Sequence, residues 1–138
     1  AIPALASALG VDPVPALART AALCAADDDA LSEWASGLLA VSCEASPAAG
    51  EGSLALVVSE VSGAPRAVRA RALREVASRA GIRLLSGVHV DALDDLIVAW
   101  RGQGPILLPG GRATRVGRGT QARILFEARS PEPTRDGG

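Results

Sequence analysis

The stretch from Val88 to Arg112 (V-H-V-D-A-L-D-D-L-I-V-A-W-R-G-Q-G-P-I-L-L-P-G-G-R) constrains the fold most, because it passes from helical to strand-like patterning within one segment. At about 100° per residue, His89, Leu93, Leu96, Ile97 and Trp100 share one side of a helix, and Asp91, Asp94 and Asp95 fall on the other. Ser86 is placed to cap the start by accepting a backbone N–H. Gly102 and Gly104 are read as its stop, since glycine adopts the left-handed conformation of helix ends without a Cβ clash. Arg101 then sits near the negative end of the helix dipole. Pro105 to Leu108 is short and apolar enough for a buried strand, and Pro109-Gly110-Gly111 turns it. A helix and a hairpin aimed at one core are predicted, with Trp100 as an anchor. His89, on the same stripe, is read as a core histidine, the alternatives being a base or an RNA-stacking group.

The rest of the chain supplies the partners for that centre. Leu17, Cys24, Leu31 and Leu38 recur every seven residues from Ala16 to Glu44, with Ala21, Ala35 and Ser42 between them. That spacing predicts a long helix packed as in a bundle. Asp12 and the prolines at 13 and 15 suit its first turn. Asp27-Asp28-Asp29 is expected on its solvated side, because successive helical carboxylates fan outward instead of converging on a metal. Residues 46–52 are loop-like, Leu54 to Val58 reads as a short buried strand, and Ser62-Gly63-Ala64 as a turn. Pro65 opens a second helix that Gly81 stops. On it Val68, Ala72, Leu73, Val76 and Ala80 share one face, and Arg66, Arg71 and Arg74 the opposite one. Arg69 falls near the apolar arc and should pair with an acid or lie at an interface. Ala113–Val116 and Gln121–Ala128 are strand candidates joined by Gly117-Arg118-Gly119-Thr120. The fold class predicted is α+β: a long N-terminal helix, a short strand, two helices, then a small antiparallel sheet. Residues 1–48 are expected to form a helical connector, 49–129 a recognition domain, and 130–138 a disordered tail.

Charge points to a class of partner. All fourteen basic residues are arginine; residues 1–60 hold one of them against eight acids, and residues 61–138 hold thirteen against seven. Such asymmetry suits either an anionic partner, nucleic acid first, or an internal match between an acidic helix and a basic sheet. Arg66, Arg71 and Arg74 on the helix, and Arg101, Arg112, Arg115 and Arg118 around the hairpin, are the candidate nucleic-acid contacts. Guanidinium forks suit phosphates. Without interleaved aromatics, tracking of a folded double-helical backbone is expected over base stacking. No apolar run approaches the roughly 20 residues of a membrane span. Cys24 and Cys43, with no C-x-x-C spacing, are read as reduced core cysteines of a cytoplasmic protein. Catalytic and metal-ligand motifs are missing from the sequence: there is one histidine, no G-x-S-x-G and no G-x-x-x-x-G-K-[ST] loop.

Several stretches, taken together in order, resemble the tRNA(Ile)-lysidine synthetases. They are A-I-P-A-L-A-S-A-L-G, A-L-A-R-T-A-A-L-C-A-A-D-D-D-A-L, P-R-A-V-R-A-R-A-L-R, H-V-D-A-L-D-D-L-I-V-A-W-R-G-Q-G and L-P-G-G, and they span the chain to about Phe126. The resemblance implies the C-terminal, substrate-recognition region of a longer ligase used in tRNA processing. In that family an N-terminal ATP-pyrophosphatase domain adenylates the wobble cytidine of isoleucine tRNA, and lysine displaces AMP. ATP and Mg would serve that domain; the family's S-G-G-x-D-S loop does not occur here, so no catalytic residue, cofactor or activity is expected of this sequence alone. Implied partners are isoleucine tRNA and the catalytic domain, with a homodimer as a further candidate. The competing expectation is a structural or dimerisation region with no nucleic-acid contact.

Overall fold

A computed structural model describes residues 13–129. The expectations for Asp12 as a cap and for the tail from residue 130 lie outside the described residues. Helix α1 (Pro13–Ser42) is followed by strand β1 (Cys43–Ala45), a 3-10 turn at Pro47–Ala49, and strand β2 (Leu54–Val57). Helix α2 (Val58–Val61) is a single turn; α3 (Arg66–Arg79) and α4 (Gly87–Val98) follow. Strands β3 (Ile106–Leu108), β4 (Gly111–Val116) and β5 (Arg123–Ala128) complete the fold. All five strands form one antiparallel sheet in the order β1-β2-β5-β4-β3. This is the α+β class the patterning predicts.

The sheet is wider than the sequence suggests. Cys43 and Glu44, which the heptad spacing assigns to the long helix, pair as edge strand β1 with Leu56 and Ala55. Nothing local breaks the helix at Ser42; the pairing with β2 does, and a weak helical preference yields to it. The helix bounds differ in a second way. Residues 14–30 of α1 are exposed, so Leu17 and Cys24 are not the packed seam the spacing predicts. Only from Leu31 onward does α1 meet the core, through buried Ala35, Leu39 and Ser42. The Ser42 hydroxyl donates to the Leu38 carbonyl at 2.7 Å, which satisfies it where it is buried.

The core lies between the inner face of the sheet and α3 and α4. Leu56, Ala113, Ile124 and Phe126 meet Val68, Ala72, Leu73, Val76, Leu93 and Leu96, all essentially inaccessible. The predicted apolar face of α3 is therefore the packed one, including Ala80. Gly81 ends that helix with φ +91°, a conformation that side chains with a Cβ rarely adopt. Ile82 continues inward and reaches Gly111, where an added Cβ would stand 2.4 Å from the Glu127 carbonyl and 2.7 Å from Ile82 Cγ1. Glycine at 111 thus lets a loop and two strands close on each other.

On α4 the inner stripe holds for Leu93, Leu96 and Ile97, with Val90 added, and fails at both ends. His89 is half-buried and is no core residue: its Nδ1 accepts from the Ser86 backbone N–H at 3.0 Å, while the Ser86 hydroxyl accepts from the His89 N–H at 3.4 Å. The pair forms a reciprocal cap with histidine in the place usually taken by Glu or Gln. At the other end the helix stops at Val98, earlier than the glycines imply. The Gln103 amide donates to the Ala99 carbonyl at 3.2 Å, meeting a group the helix end leaves open. Trp100 therefore lies beyond the helix and is 42% exposed, not a core anchor.

Candidate nucleic-acid interface

Each arginine's meaning depends on what it faces. Arg69 is held between α3 and α4, with side-chain exposure of 12% against 6% for its partner Asp94. Its Nε and Nη2 donate to the two Asp94 carboxylate oxygens at 2.7 and 3.0 Å, and its Nη1 donates to the Ala64 carbonyl at 2.6 Å. The hydrogen bond that Arg69 donates to Asp94 raises the Arg69 pKa, against desolvation. The predicted pairing of Arg69 is thus present. Asp94, expected on the solvated side with Asp91 and Asp95, is instead buried to make it.

The outer face of α3 carries the predicted Arg66, Arg71 and Arg74. All three already have partners. Arg66 pairs with Asp91 at 2.6 Å, Arg71 pairs with Asp28, and Arg74 donates to the Leu85 carbonyl at 2.7 Å. Asp28, the middle of the acidic triplet, therefore reaches across to α3. Glu44 likewise pairs with Arg123 at 2.7 Å. Two ion pairs link the acidic first half to the basic second half, so the charge asymmetry is partly matched within the chain.

The remaining candidates divide. Arg112 lies on the outer face of the sheet and pairs with Glu127 across the β4–β5 register at 2.8 Å. Arg115 occupies the inner-face row with Ile124 and Leu56, at the rim of the sheet. Its Nη1 donates to the Leu96 carbonyl at 2.7 Å, and its guanidinium carbon stands 4.9 Å from the centroid of the Trp100 ring. Its Nε is buried with no acceptor among the described residues. Arg101, one residue past Trp100, and Arg118, in the loop after β4, are exposed and have no side-chain partner among the described residues. Arg83 and Arg129 are exposed and unpaired in the same sense, and the sequence analysis did not single them out.

Arg115 and Trp100 meet at a corner where the chain leaves α4 and β4; Arg101 directly follows Trp100 in the chain and Arg118 follows Arg115 by three residues, so both belong to the segments that leave that corner. Arg66, Arg71 and Arg74 form a separate face, and Arg112 a third position. What sequence reasoning missed is Trp100 in that corner. The one available signal was Gln103, a side chain able to cap a helix that ends before the tryptophan.

Among the described residues no group of three or more His, Cys, Asp or Glu side chains is placed to hold a metal ion. None of their helices is long and apolar enough to cross a membrane. Cys24 is exposed and Cys43 half-buried on β1, both as free thiols, which corrects their reading as helical core residues. Burial pushes the Cys43 thiol up, a nearby Arg79 charge working against it.

The family model described as "TilS substrate binding domain" matches residues 56–120, from β2 to the loop before β5. A tRNA(Ile)-lysidine synthase of Thermobifida fusca is 43% identical over 130 residues, covering 93% of this chain and 37% of its own length. One from Salinispora arenicola is 45% identical over 80% of this chain and 32% of its own length. A third, from Streptomyces coelicolor, is 41% identical over 79% of this chain and 30% of its own length. The chain spans about a third of the length of these curated relatives. No solved structure matches it.

Proposed function

This chain belongs to the TilS substrate binding domain family of the tRNA(Ile)-lysidine synthases, and from that premise we propose that it docks isoleucine tRNA for lysine ligation. The observation that carries the reading is the family match over residues 56–120, a span that holds all seven candidate arginines. In this reading the whole protein is an ATP-dependent ligase. Its nucleotide chemistry lies in a loop that does not occur in this sequence, and this chain contributes substrate binding alone. Cytoplasmic location accords with a tRNA substrate.

The electrostatics support docking by exchange as well as by capture. Arg101 and Arg118 are free to meet phosphates directly. Exposed pairs such as Arg66–Asp91 contribute about 0–1 kcal/mol, so a phosphate can replace the carboxylate at small cost. The buried Arg69–Asp94 pair is not exchangeable in this way and serves to join α3 to α4. Each phosphate contact releases condensed counterions, so affinity falls as salt rises.

A second reading, that the chain is a packing or dimerisation region, is favoured by α1. Leu17 and Leu23 stand exposed on the first half of the helix, before it meets the core at Leu31. Titration of the folded chain with tRNA at several salt concentrations separates the two. Salt-dependent binding is expected; no binding at low salt, with self-association instead, overturns tRNA docking.

A further inference from the structure

The chain has three aromatic side chains. Phe126 fills the core, while Trp34 and Trp100 are 53% and 42% exposed. An exposed indole is costly to leave in water without use, and the two differ in their surroundings. Trp34 lies on α1 beside Glu33, with no cation over its ring among the described residues. Trp100 lies against Arg115, whose guanidinium carbon is 4.9 Å from the ring centroid.

Arg115 is itself fixed. It projects from the inner-face row of β4, donates from Nη1 to the Leu96 carbonyl at 2.7 Å, and buries an Nε that finds no acceptor among the described residues. A cation held this way backs one face of the indole and restricts its rotamers. The exposed remainder of the ring is then a preordered flat surface, so a planar ligand stacks on it with little further ordering cost. Arg101 is the next residue in the chain and Arg118 lies three residues past Arg115; both are exposed and without side-chain partners among the described residues. A flat apolar face flanked by free guanidinium groups suits a base attached to a phosphate.

We propose that Trp100 stacks one unpaired nucleobase of RNA, with the adjoining phosphates held by Arg101 and Arg118. The proposal rests on the RNA-docking reading and deepens it. Paired bases inside a duplex offer no free ring face, so the ligand is a nucleotide at a single-stranded end or loop. This reverses the expectation, drawn from the lack of interleaved aromatics in the sequence, that backbone tracking alone is used. The aromatic is supplied from fifteen positions before Arg115, by the fold.

The test uses the full chain carrying Trp34→Phe, which leaves Trp100 as the sole indole reporter. Its fluorescence is titrated with a blunt RNA hairpin and with the same hairpin bearing a short single-stranded 3′ overhang. The overhang RNA is expected to quench Trp100 and to bind about tenfold tighter, the order of one base–aromatic stack. Trp100→Ala, checked for folding by circular dichroism, should abolish that preference, and Trp100→Phe should keep part of it. Equal affinity for the two RNAs overturns the stacking site while salt-dependent binding of both leaves RNA docking standing. Absence of any RNA binding at low salt overturns both.

Discussion

Helix α3 and the corner beyond α4 are both rich in arginine, but every arginine on α3 is answered within the chain. Arg66 has Asp91, Arg69 has Asp94, Arg71 has Asp28, Arg74 has the Leu85 carbonyl, and Arg79 has Glu75. At the corner, Arg101 and Arg118 are unanswered among the described residues, and Arg115 is engaged by Trp100 and the Leu96 carbonyl. A basic face counted from sequence is therefore two different things in three dimensions. On α3, charge is used to tie α1 and α4 to the domain, with any RNA contact requiring exchange. At the corner it stands ready for a ligand.

The comparison breaks most visibly if the α3 side is cut at its buried pair. Asp94→Ala leaves Arg69 charged and 12% exposed, and should cost about 3–5 kcal/mol in denaturant unfolding. Asp91→Ala removes an exposed partner of the same helix and should cost less than about 1 kcal/mol. Equal losses would mean that burial does not divide the α3 arginines as described.

Trp100→Ala sharpens the corner side. A fully buried tryptophan would cost about 3–5 kcal/mol on truncation. With 42% of the residue exposed and one cation contact, a loss of about 1–2 kcal/mol is expected in thermal or urea unfolding. A full-sized loss would return Trp100 to a structural role.

How much of this division was legible beforehand can be seen along α4. Leu93, Leu96 and Ile97 follow helical spacing and are buried, because a continuous apolar stripe leaves a helix few other ways to pack. Asp94 was misplaced because it lies only about 40° around the wheel from buried Val90, at the edge of the stripe, where a partner on another helix decides. That partner, Arg69, was flagged from its own position on α3. Trp100 was misplaced because the wheel assumes helix through residue 100, whereas Ala99 has φ −134° and ψ 44°. Strand β1 was invisible for a similar reason: three residues adjoining a long helix take strand form only through pairing with β2. The seven candidate arginines could be named but not sorted, since sequence gives their positions and not the carboxylates across from them.

Salt titration of tRNA binding compares the two regions directly. Replacing Arg101 and Arg118 together by alanine should flatten the salt dependence by about two contacts, roughly one per residue. Replacing Arg66 and Arg71 should flatten it less, because each carries its own carboxylate into the free state. Equal slopes would erase the distinction between ready and exchanged charge.

The smallest effect is the most direct test of exchange on α3. Asp28 pairs with Arg71 across the α1–α3 interface, and its side chain is 61% exposed. If RNA phosphate must displace it, Asp28→Asn frees Arg71 in advance, and tRNA should bind about two- to fivefold tighter at low salt, on the scale of an exposed pair. The gain should fade toward 1 M salt, where the screening length is about 3 Å. Folding stability should move by less than about 1 kcal/mol, because the pair is open to water. Asp27→Asn is the control: it removes the same charge one residue away and leaves the Arg71–Asp28 pair in place, so a general loss of repulsion would tighten binding equally in both variants. Tightening confined to Asp28→Asn places Arg71 on the RNA; equal tightening assigns the effect to long-range charge, and leaves the corner as the docking region.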